Sequence, residues 1–174
     1  GIVLICPSDV ADAKMRMFNA DGSEGKMCGN AIRCVGKYLY DRGIVPKQTL
    51  TVETLSGVKT LALHLKDGKV DTVTVQMGKA ELFPQKIPVS LEGDRIVGNP
   101  LTVGSEEYKI TCVSMGNPHC VVFCDDPEEI DLPGIGPLFE NHPLFPERIN
   151  TEFVKITGPH SLSMRVWERG SGET

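Results

Sequence analysis

Ala31-Ile-Arg-Cys-Val-Gly-Lys-Tyr-Leu-Tyr-Asp-Arg42, entered through Met27-Cys28-Gly29-Asn30 and closed by Gly43, decides how the chain is read. Ile32, Val35, Gly36 and Leu39 recur at i, i+3, i+4 and i+7, which gathers them on one apolar helical face. Asn30 is the expected N-cap, since its side chain accepts from unpaired N–H groups, and Gly43 stands in the C′ position where helices stop. Strand-like residues surround this helix. Gly1 to Cys6 and Lys14 to Phe18 precede it, and Asn19 to Met27 is a glycine-rich link. Thr49 to Thr54, Val58 to Leu65 and Val70 to Met77 follow, joined by turns at Ser56-Gly57 and Asp67-Gly68. An Asp-Gly pair between two β-rich runs is a strong hairpin signal.

The same composition returns further on. Phe83-Pro-Gln-Lys-Ile-Pro88 reads as a proline-bearing connection and domain boundary, so the halves are taken as residues 1–78 and 79–174. Leu101 to Val103, Tyr108 to Ser114, Cys120 to Cys124, Thr151 to Thr157 and Leu162 to Glu168 are expected strands. Asp131-Leu-Pro133 opens a short helix by its cap and early proline, running to about Asn141. Each half thus combines several antiparallel strands with one helix. A faint echo between Gly22-Ser23-Glu24 and Gly170-Ser-Gly-Glu173 hints at duplication.

The chain has 174 residues, is 40% hydrophobic and 24% charged, and carries a formal net charge of −5, an ordinary globular balance. A chain without a basic surplus lacks the electrostatic footprint of a nucleic-acid binder. Its longest apolar run, Ile2 to Cys6, is too short to span a bilayer, and no secretory signal pattern opens it. Gly1 stands inside a strand-like run and Thr174 follows a strongly patterned segment. The expectation is a piece of a longer chain, incomplete at both ends.

Six cysteines, Cys6, Cys28, Cys34, Cys112, Cys120 and Cys124, are even in number. Without a signal peptide or a zinc-type spacing, they read as reduced thiols of a cytoplasmic protein, most of them buried, with no metal. Cys28 differs by its surroundings. A free thiol has a pKa of about 8.5, and a helix N-terminus, with unpaired N–H groups and partial positive charge, helps it act as a base. Gly29 and Asn30 offer N–H groups to a carboxylate, and Gly29 has no side chain to keep a ligand away. Thiolate and anion cradle in one place suit chemistry at the α-carbon of a carboxylic acid; the plain alternative is a buried cysteine. Met115-Gly-Asn-Pro-His119 puts Asn117 and His119 at a strand mouth, where an imidazole can tune a thiol or hold substrate. Trp167-Glu168-Arg169-Gly170 ends a strand in an acid–base pair that can meet an ammonium and a carboxylate, or be a plain surface pair. His64, His142 and His160 are left structural.

Together, Arg16-Met-Phe-Asn-Ala-Asp-Gly-Ser-Glu24, Met27-Cys-Gly-Asn-Ala-Ile-Arg-Cys34, Gly116-Asn-Pro-His119, Arg148-Ile-Asn-Thr-Glu-Phe-Val154 and Trp167-Glu-Arg-Gly-Ser-Gly-Glu-Thr174 resemble the diaminopimelate epimerases. These are cofactor-independent, two-cysteine enzymes of lysine and peptidoglycan precursor synthesis. The five stretches run in order along essentially the whole chain. The resemblance implies an α/β (α+β) fold of two pseudo-symmetric halves, each an antiparallel barrel-like sheet around a central helix. It implies interconversion of LL- and meso-diaminopimelate by thiol proton transfer, with no cofactor. By the same resemblance Cys28 is one catalytic thiol and Gly29 and Asn30 hold the carboxylate at the reacting centre. Asn19, Asn117, Asn150, Glu168 and Arg169 grip the rest of the substrate, and His119 and Glu168 tune the thiols. Ala31 stands where the family commonly has Gly, a mild change. The family's second cysteine follows Gly-Ser-Gly-Glu-Thr within a few residues, so this chain by itself is expected to be inactive. The implied partner is a small amino-acid substrate, neither nucleic acid nor membrane, with a homodimer left open. Other readings are a proline-racemase-like isomerase, a cysteine hydrolase using Cys28 and His119, and a non-catalytic amino-acid-binding fragment.

Overall fold

The computed structural model describes residues 1–174, which divide into two units, Gly1–Gly78 and Lys79–Thr174. In the first, Ile2–Cys6 (β1), Ala13–Phe18 (β2) and the short Glu24–Gly25 (β3) precede the helix Gly29–Asp41 (α1). Thr49–Thr54 (β4), Gly57–Lys66 (β5) and Lys69–Val75 (β6) follow, giving a sheet in the order β1-β2-β4-β5-β6 with β3 on β2. The β5–β6 turn has Asp67 and Gly68 both at positive φ, 52° and 78°, the backbone for which Asp-Gly is suited. All neighbours are antiparallel except β2 and β4. Their parallel pairing follows from α1, which carries the chain back to the other end of the sheet between them.

The helix starts earlier than its sequence pattern suggests. Cys28, with φ −140° and ψ 114°, is the N-cap, and its Sγ accepts from Ala31 N at 3.4 Å. Asn30 already lies in the first turn, where its side chain accepts from Arg33. At the other end Gly43, φ 68°, lets Ile44 N donate to Leu39 O. Ile32, Val35, Gly36 and Leu39 face Leu50, Val52, Leu61 and Leu63 in the first core. Gly36 permits the close approach, because a Cβ there would come within 2.7 Å of the Leu61 side chain. Burying each Ile or Leu contributes about 1.5–3 kcal/mol, so packing, more than helix propensity, holds α1 in place.

Ion pairs fringe this unit, and four carboxylates lie below their ordinary range. Lys47 does this for Asp12, Arg16 for Glu24, Lys37 for Asp41, and Ser8 followed by Lys14 for Glu53. Because their folded pKa values are lowered, they contribute stability above the unfolded carboxylate range, about 4, which is lost as pH falls through the folded values. The first unit is therefore expected to melt at progressively lower temperature below about pH 5. Thermal melts at pH 7, 5 and 3 check this; a melting temperature unchanged at pH 3 would contradict it.

In the second unit, Asn99–Val103 (β7), Glu106–Ser114 (β8) and Pro118–Phe123 (β9) lead to the helix Leu132–Glu140 (α2). Asn150–Gly158 (β10), Ser161–Glu168 (β11) and Gly172–Glu173 (β12) complete a sheet ordered β12-β11-β10-β9-β8-β7. Again one pair is parallel, β9 with β10, and again it flanks the helix. Asp131 caps α2 through Gly134 N, and Phe139 packs edge-on against Tyr108 and Phe153 in the core. Phe83 to Pro88 is not a loose connection. Pro84–Lys86 forms a 3-10 turn, Ile87 is fully buried in the second core, and Glu81 exchanges two backbone hydrogen bonds with Ser114. Apolar Ile87 draws the proline-bearing segment into that core.

The echo between halves acquires a structural form. β1, β2 and β3 make an antiparallel hairpin with a short strand folded back on its second member, and β10, β11 and β12 do the same. Arg16 Nε meets Glu24 Oε1 at 2.8 Å across the first fold-back, and Arg165 Nε meets Glu173 Oε1 at 2.9 Å across the second. Of the cysteines, all free, only Cys112 and Cys120 are fully buried; Cys34 is exposed. The expectation that most would be buried fails because Cys34 falls on the outer face of α1, opposite Ile32 and Val35. No helix is long and apolar enough to cross a membrane.

Candidate functional site

In the first unit the residues of interest cluster on the glycine-rich link and the start of α1. Asn19 follows β2, and its side chain donates to Ser23 Oγ at 3.1 Å. Backbone bonds Asn19 N to Ser23 O and Gly22 N to Asn19 O close a small loop, with Gly22 at φ 83°. Ser23 Oγ in turn donates to Asp21. The chain then folds back through β3 and delivers Cys28 to the head of α1. The Cys28 sulfur is half-buried and accepts the Ala31 N–H, while the carbonyl of Cys28 takes Ile32 N. The N–H groups of Gly29 and Asn30 point out of the helix start and have no partner within the chain. A Cβ on Gly29 would meet nothing within 4 Å, and its φ is not in the left-handed region. Neither packing nor backbone strain therefore requires glycine there. What its bareness does is leave two donors open to an approaching anion.

The second unit gathers a different set. Parallel pairing of β9 with β10 puts Asn150 opposite His119 at the strand mouths. Antiparallel pairing of Thr151 with Trp167 brings the end of β11, Glu168 and Arg169, alongside. Asn117, His119, Asn150, Glu168 and Arg169 thus share one end of the sheet. Asn150 is buried and ties two of these segments together: its Nδ2 donates to Pro118 O at 2.7 Å, and its Oδ1 accepts Arg169 N at 3.0 Å. His119 stands between Asn117 Oδ1, 3.0 Å from Nε2, and Glu152 Oε1, 2.6 Å from Nδ1. The half-buried Glu168 side chain makes no hydrogen bond within the chain and is free to meet a cation. Arg169 Nη1 donates to Glu147 O.

His119 does not activate the thiol beside it in sequence. Cys120 points to the opposite face, where Cys112 stands directly across from it on β8. The neighbouring Cys112 sulfur, and after it burial, hold the Cys120 thiol well above the ordinary range. Cys124 is likewise raised, by burial and then by Asp126 and Asp125. Among the structural histidines, His64 Nε2 meets Thr74 Oγ1 and His142 Nδ1 accepts Leu144 N.

Two residues escape the sequence reading. Glu152 signals itself only as one acid inside an otherwise buried strand, Ile149-Asn-Thr-Glu-Phe-Val154. Glu140, the last residue of α2, gives no signal at all. Its buried carboxylate accepts from Arg148 Nη1 at 2.9 Å, Trp167 Nε1 at 2.7 Å and Gly170 N at 2.9 Å. A carboxylate at a helix C-terminus faces the negative end of the dipole, so these three donors are what make it tolerable. They also lock the backbone on both sides of Glu168 and Arg169. An open apolar cavity of about 910 Å³ in the first unit, lined by Ile5, Ala31, Cys34, Tyr38 and Ile44 among others, does not include Cys28.

Comparison with known proteins places these residues in context. The profile of the family described as diaminopimelate epimerase matches residues 1–83 and 111–174. The chain is 57% identical over 180 residues to the diaminopimelate epimerase of Desulfovibrio desulfuricans, covering 100% of this chain and 63% of that protein. It is 54% identical to that of Acetivibrio thermocellus and 52% to that of Methanococcus maripaludis, covering all of this chain and 62% and 63% of theirs. It therefore spans a little under two thirds of the length of these relatives. Among solved structures, a probable proline racemase from Agrobacterium radiobacter superposes with a TM-score of 0.75 at 16% identity, over 98% of this chain and 54% of that one. A hydroxyproline epimerase from Agrobacterium vitis gives 0.73, also at 16%, over 98% and 53%. These two likenesses speak to the fold alone.

Proposed function

The chain belongs to the diaminopimelate epimerase family, and from that premise we propose that its residues serve the interconversion of LL- and meso-diaminopimelate by proton exchange at an α-carbon. The observation that carries the reading is the head of α1, where a sulfur and two unpartnered N–H groups converge beside a bare Gly29. An α-proton next to a carboxylate and an ammonium is very weakly acidic. Its removal needs a base on one face, an acid on the other to return a proton with inverted configuration, and donors for the charge that spreads onto the carboxylate. Cys28 Sγ exchanges the proton on one face, at the head of α1 where it accepts the Ala31 N–H. Gly29 and Asn30 hold the α-carboxylate through their N–H groups.

Asn19, Asn117, Asn150, Glu168 and Arg169 bind the rest of the substrate: the Glu168 carboxylate for an ammonium, the Arg169 fork for a carboxylate. The free side chain of Glu168 supports its role. For Asn150, whose amide is engaged on both sides, the role is as much to hold Arg169 in place as to touch substrate. His119 and Glu168 set the protonation of the thiols. We place this chemistry in the cytoplasm, in lysine and peptidoglycan precursor synthesis, a setting that six free thiols suit.

The test is solvent exchange. Full-length protein incubated with LL-diaminopimelate in deuterium oxide is expected to yield meso product carrying one deuterium at the inverted α-carbon. Inversion without deuterium, or no inversion of this substrate while a proline analogue is turned over, would overturn the assignment. A sharper expectation concerns Gly29. Gly29→Ala should fold normally, even gaining about 0.4–1 kcal/mol from reduced freedom of the unfolded chain. Its added methyl projects toward the carboxylate, so turnover should fall about tenfold or more at unchanged melting temperature. Parallel melts and rates check this, and equal loss of both would point to a structural glycine instead.

A further inference from the structure

Glu152 is bound to His119 more completely than a surface ion pair would be. Its side chain is 11% exposed, its Oε1 lies 2.6 Å from His119 Nδ1, and its Oε2 is buried with no hydrogen-bond partner. The one hydrogen-bond partner of this carboxyl group is therefore the His119 imidazole. A buried carboxylate that lost it would stand as an uncompensated group, among the costly defects in a protein interior. The placement is set by the sheet. In the parallel β9–β10 pair His119 lies opposite Asn150, and Glu152 follows Asn150 by two residues on the same face, diagonally across from the imidazole. Phe153, next in the strand, is buried in the opposite layer and pins β10 so that Glu152 cannot swing away.

We propose that Glu152 is a positioning residue for the reaction read above: it keeps the proton of His119 on Nδ1 and so presents Nε2 at the polar end of the sheet. An ionised carboxylate only accepts, so the proton in the 2.6 Å contact belongs to Nδ1. The hydrogen bond made by one imidazole nitrogen decides the protonation of the other. Nε2, an acceptor in this tautomer, then lies at the Asn117 amide, 3.0 Å away, which turns its Nδ2 end in place of Oδ1 to donate to it, at the same strand mouth as Asn150, Glu168 and Arg169. With this anchor His119 has one orientation and one chemically competent nitrogen there. Without it the ring can rotate and the proton can move to Nε2.

The orientation is measurable without any assumption about the reaction. In a long-range proton–nitrogen correlation spectrum of the labelled chain at about pH 8.5, above the ordinary imidazole range near 6.5, Nδ1 of His119 is expected to be protonated. Its proton is expected at low field, as for a hydrogen bond to a carboxylate. A bare Nδ1 with the proton on Nε2 overturns the proposal. Glu152→Gln is nearly isosteric and neutral, and it should abolish the low-field proton; persistence of that proton overturns the role of Glu152. Should the variant fail to fold, the unmutated spectrum still decides. In full-length protein, Glu152→Gln should lower kcat by at least about tenfold with KM within about twofold. Loss of the low-field proton with kcat unchanged would overturn the positioning role. It would leave the epimerase reading intact, since that reading stands on deuterium exchange by the unmutated protein.

Discussion

Cys28→Ala is expected to lower α-proton exchange on diaminopimelate by about 10²–10⁴-fold, the usual contribution of a positioned acid–base group. Beside the proton-transfer role proposed for it, Cys28 is a structural residue. Its Sγ accepts Ala31 N as the N-cap of α1, and losing a cap costs about 0.5–2 kcal/mol in its own right. Alanine removes cap and thiol together. Serine separates them: its hydroxyl is among the best N-caps, while its oxygen is far too weak an acid to ionise near neutral pH. Cys28→Ser should therefore match or exceed the native melting temperature and still lose exchange to the same degree as Cys28→Ala. Deuterium incorporation and inversion, followed separately, read out the loss. Cys28→Ser with near-native exchange would remove Cys28 from the mechanism and leave it a capping residue.

Glu140→Leu is expected to destabilise the second unit by about 3 kcal/mol or more. The substitution keeps the volume but leaves Trp167 Nε1 and Gly170 N, both part-buried, without an acceptor, and each such donor costs about 1–3 kcal/mol where water does not replace the carboxylate. Arg148 also loses its carboxylate; it is partly exposed and can turn to water, which keeps the total from rising further. Trp167 has little freedom to adapt, since Gly136 on α2 lies so close that a Cβ there would sit 2.3 Å from the ring. As the one tryptophan of the chain, Trp167 reports the change directly. Its fluorescence should shift and quench differently in the variant before any unfolding, and denaturant curves should give the loss. The same curves within about 1 kcal/mol of native would show that water replaces the carboxylate without penalty. Because Gly170 follows Arg169, the variant should also weaken substrate binding, raising KM.

How legible was all this? The α1 face was fully written in the spacing of Ile32, Val35, Gly36 and Leu39, and the Asp67-Gly68 turn in two residues, because local backbone preference and core burial agree there. The N-cap lies two residues before the one its local chemistry suggests. Asn30 has the better capping chemistry in isolation, but the fold-back of β3 onto β2 delivers the chain so that Cys28 is the extended residue at the helix mouth. At Phe83 to Pro88 the prolines mark a connection, and the burial of Ile87 between them in the second core is not visible in that pattern.

The chain by itself determined the elements, the thiol at a helix start with a bare glycine beside it, and the polar residues at each strand mouth, since all of these depend on neighbours within a few positions. The parallel β2–β4 and β9–β10 pairings, and therefore the meeting of His119 with Asn150 and of both with Glu168 and Arg169, were decided only in three dimensions. So were Glu140 and Glu152. A buried carboxylate is tolerated only where donors from distant segments converge on it, and no spacing along the chain records that Trp167, Gly170 and Arg148 would reach Glu140, or that His119 would turn its Nδ1 to Glu152.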